Sequence, residues 1–67
     1  MDAAARDAAD FKAWRERCRW TQVEAAQQLG ISPRSVQLYE SGTVRVPRPV
    51  RLACSALLHR VHLHPLG

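Results

Sequence analysis

Apolar residues recur along this chain at helical spacing, with polar residues between them, so the pattern predicts an all-α fold. In the first segment the apolar stripe consists of Phe11, Trp14 and Cys18, and Trp20 follows just beyond it. We predict a compact domain of four to five helices. The predicted helices span about 3–18, 22–29, 33–40 and 49–63, and a basic loop covers 41–48.

The segment 21–42 carries start and stop signals for two short helices. Thr21 is a good N-cap, and Glu24 three residues later completes a capping box. Gly30 suits the end of this helix because a positive φ costs glycine little. Ser32 and Pro33 then open the second helix. Two capped helices with three residues between them are the pattern of a helix-turn-helix.

The last segment carries two apolar stripes. The first stripe is predicted to close the core and consists of Val50, Ala53, Cys54, Leu57 and Val61. The second lies roughly 160° away on a helix and consists of Leu52, Ala56, His59 and Leu63. We therefore predict one long helix whose second stripe packs against a second copy of the chain. The alternative is a break near His59 and a short final turn over the core.

The length of the chain indicates one small domain, and its charge indicates a nucleic-acid partner. The chain has 67 residues, enough for one small domain, with a formal net charge of +4 and a pI near 10.1. From Phe11 onward the chain has nine basic and three acidic residues, and such an excess of positive charge favours binding to the phosphates of nucleic acid. The chain has no apolar run long enough for a membrane, and Met1–Ala9 lacks the pattern of a signal peptide. We predict a cytoplasmic protein without membrane contact, associated with the nucleoid through DNA.

Catalytic and metal-binding patterns are missing from the sequence. There is no Gly-rich phosphate loop, no carboxylate pair in a candidate cleft and no Ser/His/Asp arrangement, so we expect no enzyme, no cofactor and no small-molecule ligand. Cys18 and Cys54 are predicted to be core residues. His59, His62 and His64 match no structural zinc spacing, so no metal site is predicted.

Residues distributed over most of the chain resemble a known family. From about Phe11 to Leu57 the chain resembles the Cro/repressor type of helix-turn-helix domain, found in lambdoid phage repressors and many bacterial regulators. The residues that carry the resemblance are Phe11, Trp14, Arg15, Thr21, Gln22, Ala26, Leu29, Gly30, Ser32, Val36, Tyr39, Glu40, Gly42 and Pro47. The run VPRPVRLACSAL at 46–57 also looks like some anti-CRISPR-associated autorepressors of phages. The resemblance implies a lambda-repressor-like fold.

Candidate site residues follow from helix geometry and from this resemblance. On the second helix of the motif, Arg34 and Gln37 face outward, where a guanidinium suits guanine and an amide suits adenine. Leu38 lies on the same side, and a leucine suits a thymine methyl. The family resemblance places base contacts at Pro33, Arg34 and Leu38. The candidates for the DNA backbone or minor groove are Gln22, Ser32, Ser35, Ser41, Arg45 and Arg48.

The resemblance also implies an ion pair between Arg15 and Glu40, which ties the first helix to the end of the recognition helix. We predict a homodimer that binds double-stranded DNA at a palindromic operator and represses transcription, including that of its own gene. One alternative is the antitoxin of a toxin–antitoxin pair. Another is a protein-interaction module that has lost DNA binding.

Overall fold

A computed structural model describes the backbone of residues 2–63 and the side chains of residues 2–60. Within these residues the chain forms four helices and no strand. They are α1 (Ala3–Arg17), α2 (Gln22–Leu29), α3 (Pro33–Glu40) and α4 (Arg48–Leu63). The predicted all-α fold is confirmed.

Side chains accept hydrogen bonds from backbone N–H groups at the start of α1 and α2. Asp2 Oδ1 accepts a hydrogen bond from the Ala5 N–H at 2.7 Å at the start of α1. In α2 the capping box is complete, because the Glu24 N–H donates to Thr21 Oγ1 at 3.1 Å and the Thr21 N–H donates to Glu24 Oε1 at 2.8 Å. These bonds fix where α1 and α2 begin.

Each of the first three helices ends with a left-handed residue, which is the C-cap itself in α2 and the residue directly after the C-cap in α1 and α3. Arg19, Gly30 and Gly42 have φ values of 61°, 71° and 78°. After α1, the Trp20 N–H donates to the Arg15 carbonyl at 3.2 Å, the longer bond of a Schellman motif. Arg19 adopts this conformation although a Cβ makes it costly, so α1 ends under local strain.

Aromatic rings from α1 and α3 form the centre of the core. The ring centroids of Phe11 and Tyr39 lie 5.4 Å apart in an edge arrangement, and those of Phe11 and Trp14 lie 5.1 Å apart. Trp20 packs edge-on against Trp14 at 5.9 Å. The buried core residues are Phe11, Trp14, Cys18, Ala25, Ala26, Val36, Tyr39, Val46 and Cys54.

Both cysteines are free thiols in this core. Burial raises the pKa of Cys54 to about 12, and burial also raises the pKa of Cys18. Neither thiol therefore ionises readily, in keeping with the behaviour of small apolar core residues.

The fourth helix differs from the sequence prediction at its start. Arg48, which was predicted to end the basic loop, is the first residue of α4, so the loop covers 41–47. Pro49 takes the second helical position without loss, because N–H groups in the first turn have no intrahelical acceptor. The helix then continues through His59 to Leu63. Within the described residues α4 is therefore continuous past His59.

Candidate nucleic-acid interface

The face of α3 that points away from the core carries polar side chains. Arg34 and Gln37 are exposed, and Leu38 is half-buried, whereas Val36 on the opposite face is fully buried. Pro33 is exposed at the first position of the helix. The outward face therefore offers a guanidinium and an amide, the two groups best suited to guanine and adenine edges in a major groove.

Two serine hydroxyls lie at the start of α3. Ser32 Oγ accepts a hydrogen bond from the Ser35 N–H at 3.2 Å, and the two hydroxyl oxygens lie 3.1 Å apart. One hydroxyl hydrogen lies between the two oxygens, so the other is free to donate. Together with the positive end of the helix dipole, this donor suits a phosphate oxygen.

A hydrogen-bonded network joins α1, α2 and α3 behind this face. Glu40 Oε2 accepts from Arg15 Nε at 2.6 Å, and Glu40 Oε1 accepts from Arg15 Nη2 at 3.1 Å. Arg15 Nη1 also donates to the Trp20 carbonyl at 3.0 Å. The side chains of Arg15 and Glu40 are only 16% and 8% exposed, and the hydrogen bond to Glu40 raises the pKa of Arg15. The structure thus brings together the two residues expected to pair.

Gln22 belongs to the same network, which the sequence did not indicate. Its Nε2 donates to Glu40 Oε1 at 3.2 Å. One amide hydrogen is therefore used inside the protein. The other hydrogen and the backbone N–H at the first position of α2 remain for a phosphate.

The loop at 41–47 rests on α1. A Cβ on Gly42 would lie 3.8 Å from the Ala4 carbonyl oxygen and 3.9 Å from Ala8 Cβ, so the backbone here is in close contact with the helix. Ser41 Oγ donates to the Leu38 carbonyl at 3.1 Å and lies 2.7 Å from Thr43 Oγ1. In this conformation Ser41 has no hydroxyl hydrogen left for a phosphate.

Arg45 is held by a residue that the sequence analysis did not single out. Arg45 Nε donates to Asp7 Oδ2 at 2.6 Å, and the Val46 N–H donates to the same oxygen at 3.1 Å. The hydrogen bond from Arg45 is the main cause that lowers the pKa of Asp7, and the Val46 N–H and the charge of Arg51 add to it. A signal was present, since Asp7 lies four residues before Phe11 and so on the inward stripe of α1.

The remaining candidates lie on α4. Arg48 is exposed at the first turn. Leu52 is 59% exposed, and Ala56 and His59 are exposed on the same side of the helix. The side chain of Leu63 lies outside the described residues.

Among the side chains that are described, no group of three or more His, Cys, Asp or Glu residues is arranged to hold a metal. None of the helices within 2–63 is long and apolar enough to cross a membrane.

Comparison with known proteins places this geometry in a family. A family model described as a helix-turn-helix domain matches residues 8–61. The match begins in α1 and ends in α4, so it includes both helices of the motif and the basic loop. No curated protein and no solved structure matches the chain.

Proposed function

Because the chain belongs to the helix-turn-helix domain family, we propose that it is a sequence-specific DNA-binding repressor of transcription. The observation that carries this proposal is the outward face of α3. Arg34 and Gln37 are exposed there, while the opposite face of the same helix is buried in the core. A helix anchored on one side can enter a major groove with the other.

Backbone contacts hold α3 in the groove in this proposal. The first turns of α2 and α3 present free backbone N–H groups at Gln22 and Arg34, next to where the phosphates of one strand would run. Arg45 and Arg48 add positive charge on either side of the junction between the loop and α4. These contacts give affinity and register, whereas Arg34, Gln37, Leu38 and Pro33 give sequence preference.

We further propose that the repressor is a homodimer. Leu52, Ala56 and His59 form an exposed face along α4, and an exposed leucine on so small a domain supports burial against a second copy. Leu63 extends the same face by sequence spacing. A two-fold axis there requires palindromic half-sites about 34 Å apart, one helical turn of DNA.

A dimer of this size is most simply regulated by its own concentration. We propose that it binds its own promoter and limits its own synthesis. The narrower resemblance to phage autorepressors fits this mode of control. The protein would then be found with the nucleoid.

Selection from randomised DNA duplexes tests the proposal directly. We expect a palindrome whose half-sites are one helical turn apart. Recovery of an asymmetric site would contradict the dimer, and recovery of no enriched sequence at all would favour a protein-interaction module.

Arg34→Ala then tests the assignment of the reading face. Loss of a bidentate contact to guanine should cost about 1–3 kcal/mol on the selected site and leave binding to random duplex nearly unchanged. Gel-shift or fluorescence-anisotropy titration on both duplexes measures the difference. Equal losses of affinity on the two duplexes would mean that Arg34 contacts the DNA backbone rather than a base.

A further inference from the structure

We propose that Asp7 is a positioning residue for DNA binding, which fixes the basic loop on α1 and orients Arg45 toward a phosphate. This inference rests on the proposed function. It assigns a role to α1 that involves no contact between Asp7 and DNA.

The geometry of Asp7 suits such a role because one oxygen holds both a side chain and the backbone. Oδ2 accepts from Arg45 Nε at 2.6 Å and from the Val46 N–H at 3.1 Å. The Asp7 side chain is only 10% exposed, so water competes weakly for these bonds. Both the path of the loop and the direction of the Arg45 side chain are therefore fixed at this point.

Two further contacts fix the ends of the loop. The Val46 side chain is 6% exposed and belongs to the core. At the other end of the loop, Gly42 lies against Ala4 and Ala8 of α1. The loop is thus anchored at both ends, and Asp7 supplies the polar anchor at the end that carries Arg45.

The ion pair leaves the functional end of Arg45 available. Of the three Arg45 nitrogens, only Nε donates to Asp7, and within the described part of the chain the two terminal nitrogens make no hydrogen bond. The Arg45 side chain is 57% exposed. By contrast, Glu40 takes both Nε and Nη2 of Arg15. A carboxylate that competed with DNA for Arg45 would be expected to bind in that bidentate manner, so the observed contact favours positioning over competition.

Salt dependence of DNA binding separates these two roles. We would titrate wild type, Arg45→Ala, Asp7→Asn and Asp7→Glu against one duplex over a series of salt concentrations. Asp10→Asn is the matched control, because Asp10 is exposed on the same helix and its loss changes the net charge equally. Arg45→Ala should lower the slope of log affinity against log salt by about 0.9, the value for one phosphate contact.

If Asp7 positions Arg45, both Asp7 variants should lower the slope by a similar amount, while Asp10→Asn keeps the wild-type slope. Asp7→Glu retains the charge and displaces the oxygen, so a wild-type slope for it would overturn the inference. Tighter binding by Asp7→Asn than by Asp10→Asn would also overturn it and would show competition instead. Amide exchange at Val46, with circular dichroism of the whole domain, reports whether the loop has moved while the fold persists.

Failure of the inference is distinguishable from failure of the proposed function. If wild type binds no duplex, the function itself is refuted. If wild type binds and Arg45→Ala lowers the slope but Asp7→Asn and Asp7→Glu do not, DNA binding stands and the role of Asp7 falls.

Discussion

Replacement of Arg15 by Met should strongly destabilise the domain, because it leaves the Glu40 carboxylate in a nearly dry site. Glu40 is 8% exposed, and Arg15 supplies two of the three hydrogen bonds that it accepts. After the substitution only the neutral amide of Gln22 remains. Met fills most of the same volume, so the loss is electrostatic rather than a cavity.

The size of the effect follows from the burial of the pair. Removal of one partner from a buried ion pair costs about 3–5 kcal/mol. The 16% exposure of Arg15 admits some solvent screening, so we expect the lower end, about 3 kcal/mol. A chain of this length has a free energy of unfolding of roughly 3–10 kcal/mol. The melting temperature should fall by about 4–8 °C per kcal/mol, so it should drop by about 12–24 °C.

Urea unfolding followed by far-UV circular dichroism measures this loss. Lys12→Met is the matched control, because Lys12 is exposed on the same helix and has no ion-pair partner among the described residues. It should change the free energy of unfolding by less than about 0.5 kcal/mol. The double variant Arg15→Met with Glu40→Met removes the stranded charge and should be more stable than Arg15→Met alone. A cost below about 1 kcal/mol for Arg15→Met would mean that the pair behaves as a surface salt bridge.

Two further substitutions test the dimer face and the end of α1. Leu52→Glu should weaken self-association while the protein stays helical, because two carboxylates would meet in an apolar contact across the two-fold axis. Sedimentation paired with circular dichroism tests this. A wild type that stays monomeric on DNA would refute the dimer. Arg19→Gly should stabilise the domain by about 1 kcal/mol, because glycine adopts the left-handed conformation without strain. Arg17→Gly, inside the helix, should have the opposite sign in the same urea titration.

The local parts of the fold could be predicted from the sequence because each depends on neighbouring residues. Thr21 with Glu24 marks the start of α2, and Gly30 marks its end. The end of α1 carries no such mark. Arg19 takes the left-handed position that glycine usually fills, and the Trp20 ring that packs against Trp14 helps to hold it there. Propensity alone would not select an arginine for this conformation, so tertiary packing decides it.

The candidate site also contains features that local sequence predicts and features that depend on tertiary packing. Helical periodicity is sufficient to place Arg34 outward and Val36 inward, because both lie on one short helix. The pairing of Asp7 with Arg45 joins residues 38 positions apart, and no pattern in the sequence states that distance. The sequence predicts Arg45 as a contact to the DNA backbone or minor groove. Its partner becomes visible only once α1 and the loop are packed together.

The two ion pairs give α1 a single mechanical role in the proposed complex. Arg15 holds the end of α3, and Asp7 holds the basic loop. The two positions are separated by eight residues on one helix, which corresponds to about 12 Å at 1.5 Å per residue. A rigid helix therefore sets the distance between α3, which we propose reads bases, and the basic loop, which we propose contacts phosphates. Changes on α1 should then alter affinity for all duplexes without changing which bases are preferred, because α1 positions both elements and itself reads no base.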